Sequence, residues 1–139
     1  MNFEYLKNNN DFEKLYELCS NAENLVFDFP NLSIESARKA IEYVVKFIYP
    51  VYLKVFTYDM TLIEMINDMK FKKFINNDQL LNSIHFIRKM GNIAVHEDSL
   101  DTSNAIKVLN ELYFVISELC IMFGVITDYE KFIETKKVA

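Results

Sequence analysis

The chain has 139 residues, of which 51% are hydrophobic and 25% charged. That length allows one compact core and excludes two ordinary domains, so we expect a single domain over residues 1–139. The composition excludes an intrinsically disordered chain. The net charge of −5 argues against binding duplex nucleic acid through a broad basic surface, although a local basic groove stays possible.

The cysteines and the apolar segments bear on the cellular compartment. Cys19 and Cys120 are far apart in the sequence and have no ligand spacing with either histidine. They predict two reduced thiols in a cytoplasmic protein without a disulfide framework. Acidic residues interrupt the first segment, which predicts no export by a signal peptide. Glu111 and Glu118 interrupt the most apolar late segment, which predicts a packed helix and no membrane span.

Glycine and proline are too scarce for many hairpin turns, so the chain is predicted to be all-α. The first helix is predicted over residues 11–27, with Asp11 as its N-cap, and it ends before Pro30. The second is predicted to begin after Ser33 as a cap and to stop at Pro50.

Capping patterns predict the later helices. The stretch "TLIE" has capping-box spacing, so a short third helix is predicted to start near Thr61. Asp78 is the predicted cap of a long helix that runs toward His96. Either Asp101 or Thr102 is predicted to cap the next helix, which Gly124 ends as a left-handed residue. A short helix is also predicted within residues 125–139.

The helix toward His96 carries a polar stripe. At about 100° per residue, His85, Asn92 and His96 share one narrow face, and Arg88 and Lys89 flank it. Almost all other residues of this helix are apolar. We therefore expect a largely buried helix with one polar stripe, which either meets water or lines a groove.

Two interpretations of the stripe stay open. Neutral imidazole can take a proton from a ribose 2′-hydroxyl while guanidinium holds the phosphate, which is metal-independent phosphoryl chemistry. The alternative is the solvated side of an amphipathic helix, which spacing alone favours. Two histidines without paired carboxylates or cysteines make a poor zinc site, so neither a metal nor another cofactor is predicted. A mid-helix Gly91 costs about 1 kcal/mol against Ala, and we expect it to admit a neighbouring helix.

Two segments carry a family resemblance. They are "IESARKAIEYVVKFIY" and "FIRKMGNIAVHEDSLDTSNAIKVLNELYFVISELCIMFG", and the opening "NFEYLKNNNDFEKLYELCSNAE" fits as well. Together they resemble the helical domain at the N-terminus of type I restriction enzyme R-subunit-like proteins, which is grouped with the HEPN superfamily. The resemblance implies an up-and-down bundle of four to five helices, a homodimer, and a setting in restriction, phage defence or RNA processing.

The resemblance also assigns site residues. Active HEPN ribonucleases use an arginine, a polar residue directly after it and a histidine shortly beyond, and two copies share one site. By the resemblance, His96 matches the histidine and Asn92 the polar residue. Gly91 occupies the arginine position, and Arg88, one helical turn earlier, is the nearest arginine.

Three hypotheses follow. The first is a non-catalytic module that recognises RNA, another nucleic acid or other subunits of a restriction or defence complex, with His85 and Lys89 as further binding residues. The second is a HEPN-type ribonuclease in which His96 is the general acid or base while Arg88 and Asn92 orient the phosphate. In the third, the stripe is structural and His96 holds the loop that follows it. We rank the recognition module first and the ribonuclease second.

Overall fold

The computed structural model describes residues 1–97, 99–134 and 136. Its six α-helices, in chain order, are α1 Glu13–Asn24, α2 Pro30–Ile48, α3 Leu62–Asn67, α4 Met69–Ile75, α5 Asp78–His96 and α6 Thr102–Met122. The described residues contain no β-strand, so the all-α prediction is confirmed. Six helices stand where four to five were expected, because Asp68 is extended and separates α3 from α4.

The first helix is shorter at both ends than predicted. Two 3₁₀ turns, Glu4–Asn8 and Asn10–Phe12, precede α1. The Asn9 side chain accepts a hydrogen bond from the Asp11 N–H at 2.9 Å. Asn9 therefore caps the 3₁₀ turn, and the predicted cap residue Asp11 lies inside that turn.

Helix α2 begins earlier than predicted. Pro30 is at its first turn, where the missing N–H costs nothing. Ser33 lies inside the helix and is buried, and its hydroxyl donates to the Ala22 carbonyl of α1 at 2.5 Å. The Ser33 hydroxyl, which was predicted to cap the second helix, therefore links α2 to α1.

Helix α2 does not stop abruptly at Pro50. It passes into a π-helical turn, Tyr49–Leu53, and Lys54 ends that turn with a left-handed φ of 59°.

Thr61 caps α3 as predicted. Its hydroxyl accepts a hydrogen bond from the Glu64 N–H at 3.3 Å, and the Glu64 carboxylate accepts one from the Thr61 N–H at 2.9 Å.

The ends of the two longest late helices follow cap chemistry. Asn77, one residue before the predicted Asp78, caps α5 through its side-chain oxygen, which accepts from the Leu80 N–H at 3.0 Å. Asp101 caps α6 in a reciprocal pair with Asn104. Gly124 has φ +75°, and its N–H donates to the Ile121 carbonyl while the next N–H donates to Cys120. This is the Schellman arrangement that ends a helix.

The predicted final helix is wrong for the described residues, since 125–134 and 136 contain none. Two side chains hold this segment against the body of the protein. Asn2 exchanges two hydrogen bonds of 2.9 Å with the Ile133 backbone, and the Tyr113 hydroxyl donates to the Glu130 carbonyl at 2.5 Å. Residues 135 and 137–139 of that prediction, and Asp98 of the predicted loop before α6, lie outside the described residues.

The hydrophobic core lies around α2. This helix packs most extensively against α5 and α1 and also contacts α6. Cys19 and Cys120 are buried free thiols in this core, and burial raises the pKa of Cys120 to about 12. In the described part of the chain, no helix is both long and apolar enough to span a membrane.

Candidate functional site

The predicted polar stripe lies on the outer side of α5. The buried residues of this helix are Leu80, Ser83, Ile84, Ile87, Gly91 and Ala94. The stripe lies opposite them: Lys89, Asn92 and His96 are exposed, and His85 and Arg88 are half-buried. The structure thus brings all five predicted stripe residues to one side of one helix.

The exposed side of α5 is wider than we expected. Ile93 is 38% exposed and Val95 is 56% exposed. Both were expected to be buried with the rest of the apolar face. They lie on either side of the Asn92–His96 end of the stripe, because no neighbouring helix covers this last turn fully. The polar stripe therefore ends in a mixed polar and apolar surface.

The last turn of α5 is fastened by the first turn of α2. The Asn31 side-chain amide donates to the carbonyl of Ala94 at 2.9 Å and to the carbonyl of Glu97. Ala94 lies in the last turn of α5 and Glu97 directly follows the helix, where carbonyls lack the donors of a further helical turn. Asn31 supplies a donor to both. Asn31 thereby fixes the turn that presents His96.

An arginine that the sequence analysis missed lies beside the stripe. The side chain of Arg38, on α2, runs across Gly91: a Cβ at position 91 would lie 2.5 Å from the Arg38 Cβ and 2.8 Å from its Cγ. The neighbour that Gly91 admits is therefore α2. In the family motif, position 91 would hold an arginine, and this chain has a glycine there. Arg38 of α2 places an arginine stem against that position. The only sequence signal was a mid-helix glycine without another explanation.

Both arginines have a desolvated donor. The Nε atoms of Arg38 and Arg88 are buried, and neither donates a hydrogen bond to any atom of the described residues. The Arg38 guanidinium has one weak ion pair, 3.9 Å from the Glu42 carboxylate on its own helix. A buried donor without an acceptor is costly, particularly on a charged group.

Three cations act on His85. Burial is the main cause that lowers the pKa of His85, followed by the charges of Arg88, Lys89 and Lys72. Lys72 comes from α4, so two helices bring cations to this point. The surface is thus locally basic in a chain of net charge −5. A local basic surface of this kind attracts phosphate groups.

One chain does not bring the ribonuclease residues close together. Arg88 and His96 are separated by eight positions on α5, which is about 12 Å along the helix axis. Among the described residues, no three His, Cys, Asp or Glu side chains converge to form a set of metal ligands.

Comparisons with family models, curated proteins and solved structures found no match for this chain. The resemblance to the restriction-subunit domain therefore stays a prediction based on the two quoted segments. What the geometry provides independently is a basic stripe, two arginines with unused donors, and an exposed histidine at the end of one helix.

Proposed function

We propose that this chain is a non-catalytic helical module that recognises nucleic acid and forms a homodimer within a prokaryotic restriction or phage-defence system in the cytoplasm. The outward-facing basic stripe of α5 is the observation that carries the proposal. Lys89, Asn92 and His96 are exposed there, and the positive charges of Arg88, Lys89 and Lys72 act on His85. Such a surface contacts phosphates and positions the partner.

The recognition role is preferred to catalysis because of distance. General acid–base catalysis requires the proton-transferring group and the phosphate-holding group to reach one reacting centre. In one chain, Arg88 and His96 lie about 12 Å apart along α5. Binding has no such requirement, because a nucleic acid contacts a stripe at several phosphates.

The dimer proposal depends on the apolar residues at the end of the stripe. Ile93 and Val95 are exposed beside Asn92 and His96. With the stripe between them they form a mixed polar and apolar surface, which is the usual composition of a non-obligate protein interface. A second copy seated there would bring two stripes together. The restriction or defence setting comes from the resemblance of the α2 and α5–α6 segments.

The binding test is fluorescence anisotropy with labelled single-stranded RNA, single-stranded DNA and duplex DNA over a range of salt concentrations. We expect saturable binding that weakens with salt, and a smaller salt slope for Lys89→Gln. Lys14→Gln, an exposed lysine on α1, is the matched control and keeps the wild-type slope. The proposal fails if none of the three nucleic acids binds at low salt.

Light scattering after size-exclusion chromatography tests the dimer. We expect a dimeric mass for the wild type and a monomeric mass for Val95→Glu, because a charge in an apolar interface is costly. Met69→Glu is the control, since Met69 is an exposed apolar residue on α4. A monomeric wild type at high concentration would remove the dimer from the proposal.

The second candidate is the HEPN-type ribonuclease, and the exposure of His96 is the observation that favours it. A histidine sealed in the core could not reach a substrate. This function predicts that the wild type cleaves single-stranded RNA in EDTA, leaves a cyclic phosphate end, and loses cleavage in His96→Ala. Binding without cleavage across several RNAs would retain the recognition module alone.

A further inference from the structure

The two arginines are the starting observation. The chain has 13 lysines but only two arginines, Arg38 and Arg88. Lysine serves wherever a solvated point charge is sufficient, whereas the planar guanidinium fork suits two-point binding of phosphate. Arg38 of α2 lies across α5 at Gly91, and Arg88 lies one turn before Gly91 on α5. The net charge of the chain does not explain why arginine, and not lysine, occupies these two positions.

The geometry places the starting points of the two side chains close together. Position 91 and Arg88 are three residues apart on α5, so their Cβ positions lie about 5–6 Å apart. A Cβ at position 91 would lie 2.5 Å from the Arg38 Cβ. The two arginine stems therefore start from neighbouring points, although they belong to helices far apart in the sequence.

The unused donors indicate the chemistry of a ligand. Each Nε–H is buried without an acceptor among the described residues. Because each Nε is closed to solvent, a ligand reaches it only when the half-buried arginine side chain turns outward. A ligand that offers several acceptor oxygens at once then removes the cost of the unpaired donor. A phosphate group has enough oxygens for two guanidinium forks, and its charge suits the cations around His85.

We propose that Arg38 and Arg88 together form a binding subsite for one phosphate group where α2 and α5 meet. Gly91 is the residue that permits it, because any side chain there would displace the Arg38 stem. Where the phosphate belongs to a nucleic acid, this inference rests on the proposed function and names the contact. Free inorganic phosphate has the same chemistry, and the experiment distinguishes the two sources.

The test uses the Nε–H signals in a ¹H–¹⁵N NMR spectrum of the full chain. Only two such signals exist because there are only two arginines, and Arg38→Lys and Arg88→Lys assign them by removing one each. Inorganic phosphate is titrated first, with sodium chloride at equal ionic strength as the control, and single-stranded RNA second. We expect both signals to shift along one saturable curve with phosphate and with RNA.

The affinity arm uses the two lysine variants, which keep the net charge. Each is expected to weaken phosphate and RNA binding about tenfold, which corresponds to the loss of a charge-assisted hydrogen bond. Lys39→Gln removes an exposed charge next to Arg38 on the outer side of α2 and is expected to change binding less. The wild-type titration does not depend on whether a variant folds.

The outcomes separate this inference from the proposed function. Shifts with phosphate alone, and RNA binding unchanged in both lysine variants, support a subsite for free phosphate. No saturable shift of either signal with phosphate or RNA overturns the subsite. If neither signal shifts but anisotropy still detects RNA binding, the recognition module is supported and RNA contacts other residues of the stripe.

Discussion

The aliphatic stem of Arg38 lies across Gly91, so that α2 and α5 approach each other at a position that has no room for a side chain. Gly91→Ala adds helix propensity worth about 1 kcal/mol. The added Cβ, however, would lie 2.5 Å from the Arg38 Cβ, which is attached directly to the backbone. We expect a net destabilisation of about 1–3 kcal/mol from overpacking. Urea unfolding at 25 °C measures it.

Gly124→Ala is the control for this prediction. Gly124 has φ +75° and open space around its Cα, so its substitution is destabilising through backbone strain alone. Combining each variant with Arg38→Ala separates the two causes. Arg38→Ala removes the Cγ, which lies 2.8 Å from a Cβ at position 91, but keeps the Arg38 Cβ. The double variant at position 91 should therefore recover a small part of the loss, and the one at position 124 none. A Gly91→Ala protein as stable as the wild type would contradict the close approach.

The second prediction concerns the end of α5. Asn31→Ala removes the donor that satisfies the carbonyls of Ala94 and Glu97. At about 1 kcal/mol for each hydrogen bond, the loss of stability should be about 1–2 kcal/mol. Amide hydrogen exchange at the last turn of α5 should accelerate, because the turn that carries His96 frays.

Asn82→Ala is the matched control, since Asn82 is an exposed asparagine on α5 itself. Its replacement by a better helix former should leave the stability at or above the wild-type value. Equal hydrogen-exchange rates in Asn31→Ala and the wild type would show that α2 does not hold this turn.

The sequence predicted helices best where local chemistry alone decides. The capping box of Thr61 and Glu64 and the end of α6 at Gly124 depend on residues within one turn of each other. Ser33 was misread because its hydroxyl bonds to Ala22 of α1, which is a contact between helices. The final segment was misread for the same reason, since Asn2 holds the Ile133 backbone.

The candidate site also has a part that local sequence predicts and a part that depends on contacts between helices. The stripe of His85, Asn92 and His96 was predictable because helical periodicity determines which residues of one helix share a face. Arg38 was not predictable, because no periodicity relates α2 to α5. The exposure of Val95 also depends on which neighbour covers the last turn of α5, and spacing carries no information about that.

The third prediction concerns a buried carboxylate near the end of α1. Glu23 is 4% exposed and accepts hydrogen bonds from the Asn2 backbone N–H and side-chain amide and from the Met1 ammonium. Glu23→Gln replaces one acceptor oxygen by an NH₂ group that faces donors. We expect a loss of about 2 kcal/mol in urea unfolding, since hydrogen bonds to a charged group are lost.

Glu17→Gln is the control, because Glu17 is exposed and forms only a surface ion pair with Lys14 at 3.3 Å. Pairs of that kind contribute roughly 0–1 kcal/mol. The assignment of Glu23 as a structural anchor would be wrong if the two variants had the same stability.

The fourth prediction concerns pH. Burial and the charges of Arg88, Lys89 and Lys72 lower the pKa of His85 below its ordinary value of 6.5 in the folded protein. As the pH falls through 6.5, the unfolded chain therefore takes up this proton before the folded one. Stability from His85 is fully present above that pH, decreases as the pH falls, and is lost once the pH passes the lower folded-state value.

Lys72→Gln removes one of these charges, so the pKa of His85 should rise toward its ordinary value. Burial remains the largest cause, so the rise should be partial. An NMR titration of the His85 ring proton measures the pKa directly. Urea unfolding on either side of pH 6.5 should show a smaller pH dependence for the variant than for the wild type. Lys73→Gln, at the exposed neighbouring position on α4, should leave the titration nearly unchanged. If both variants shifted it equally, net charge would be responsible, and the local arrangement of α4 against α5 would not.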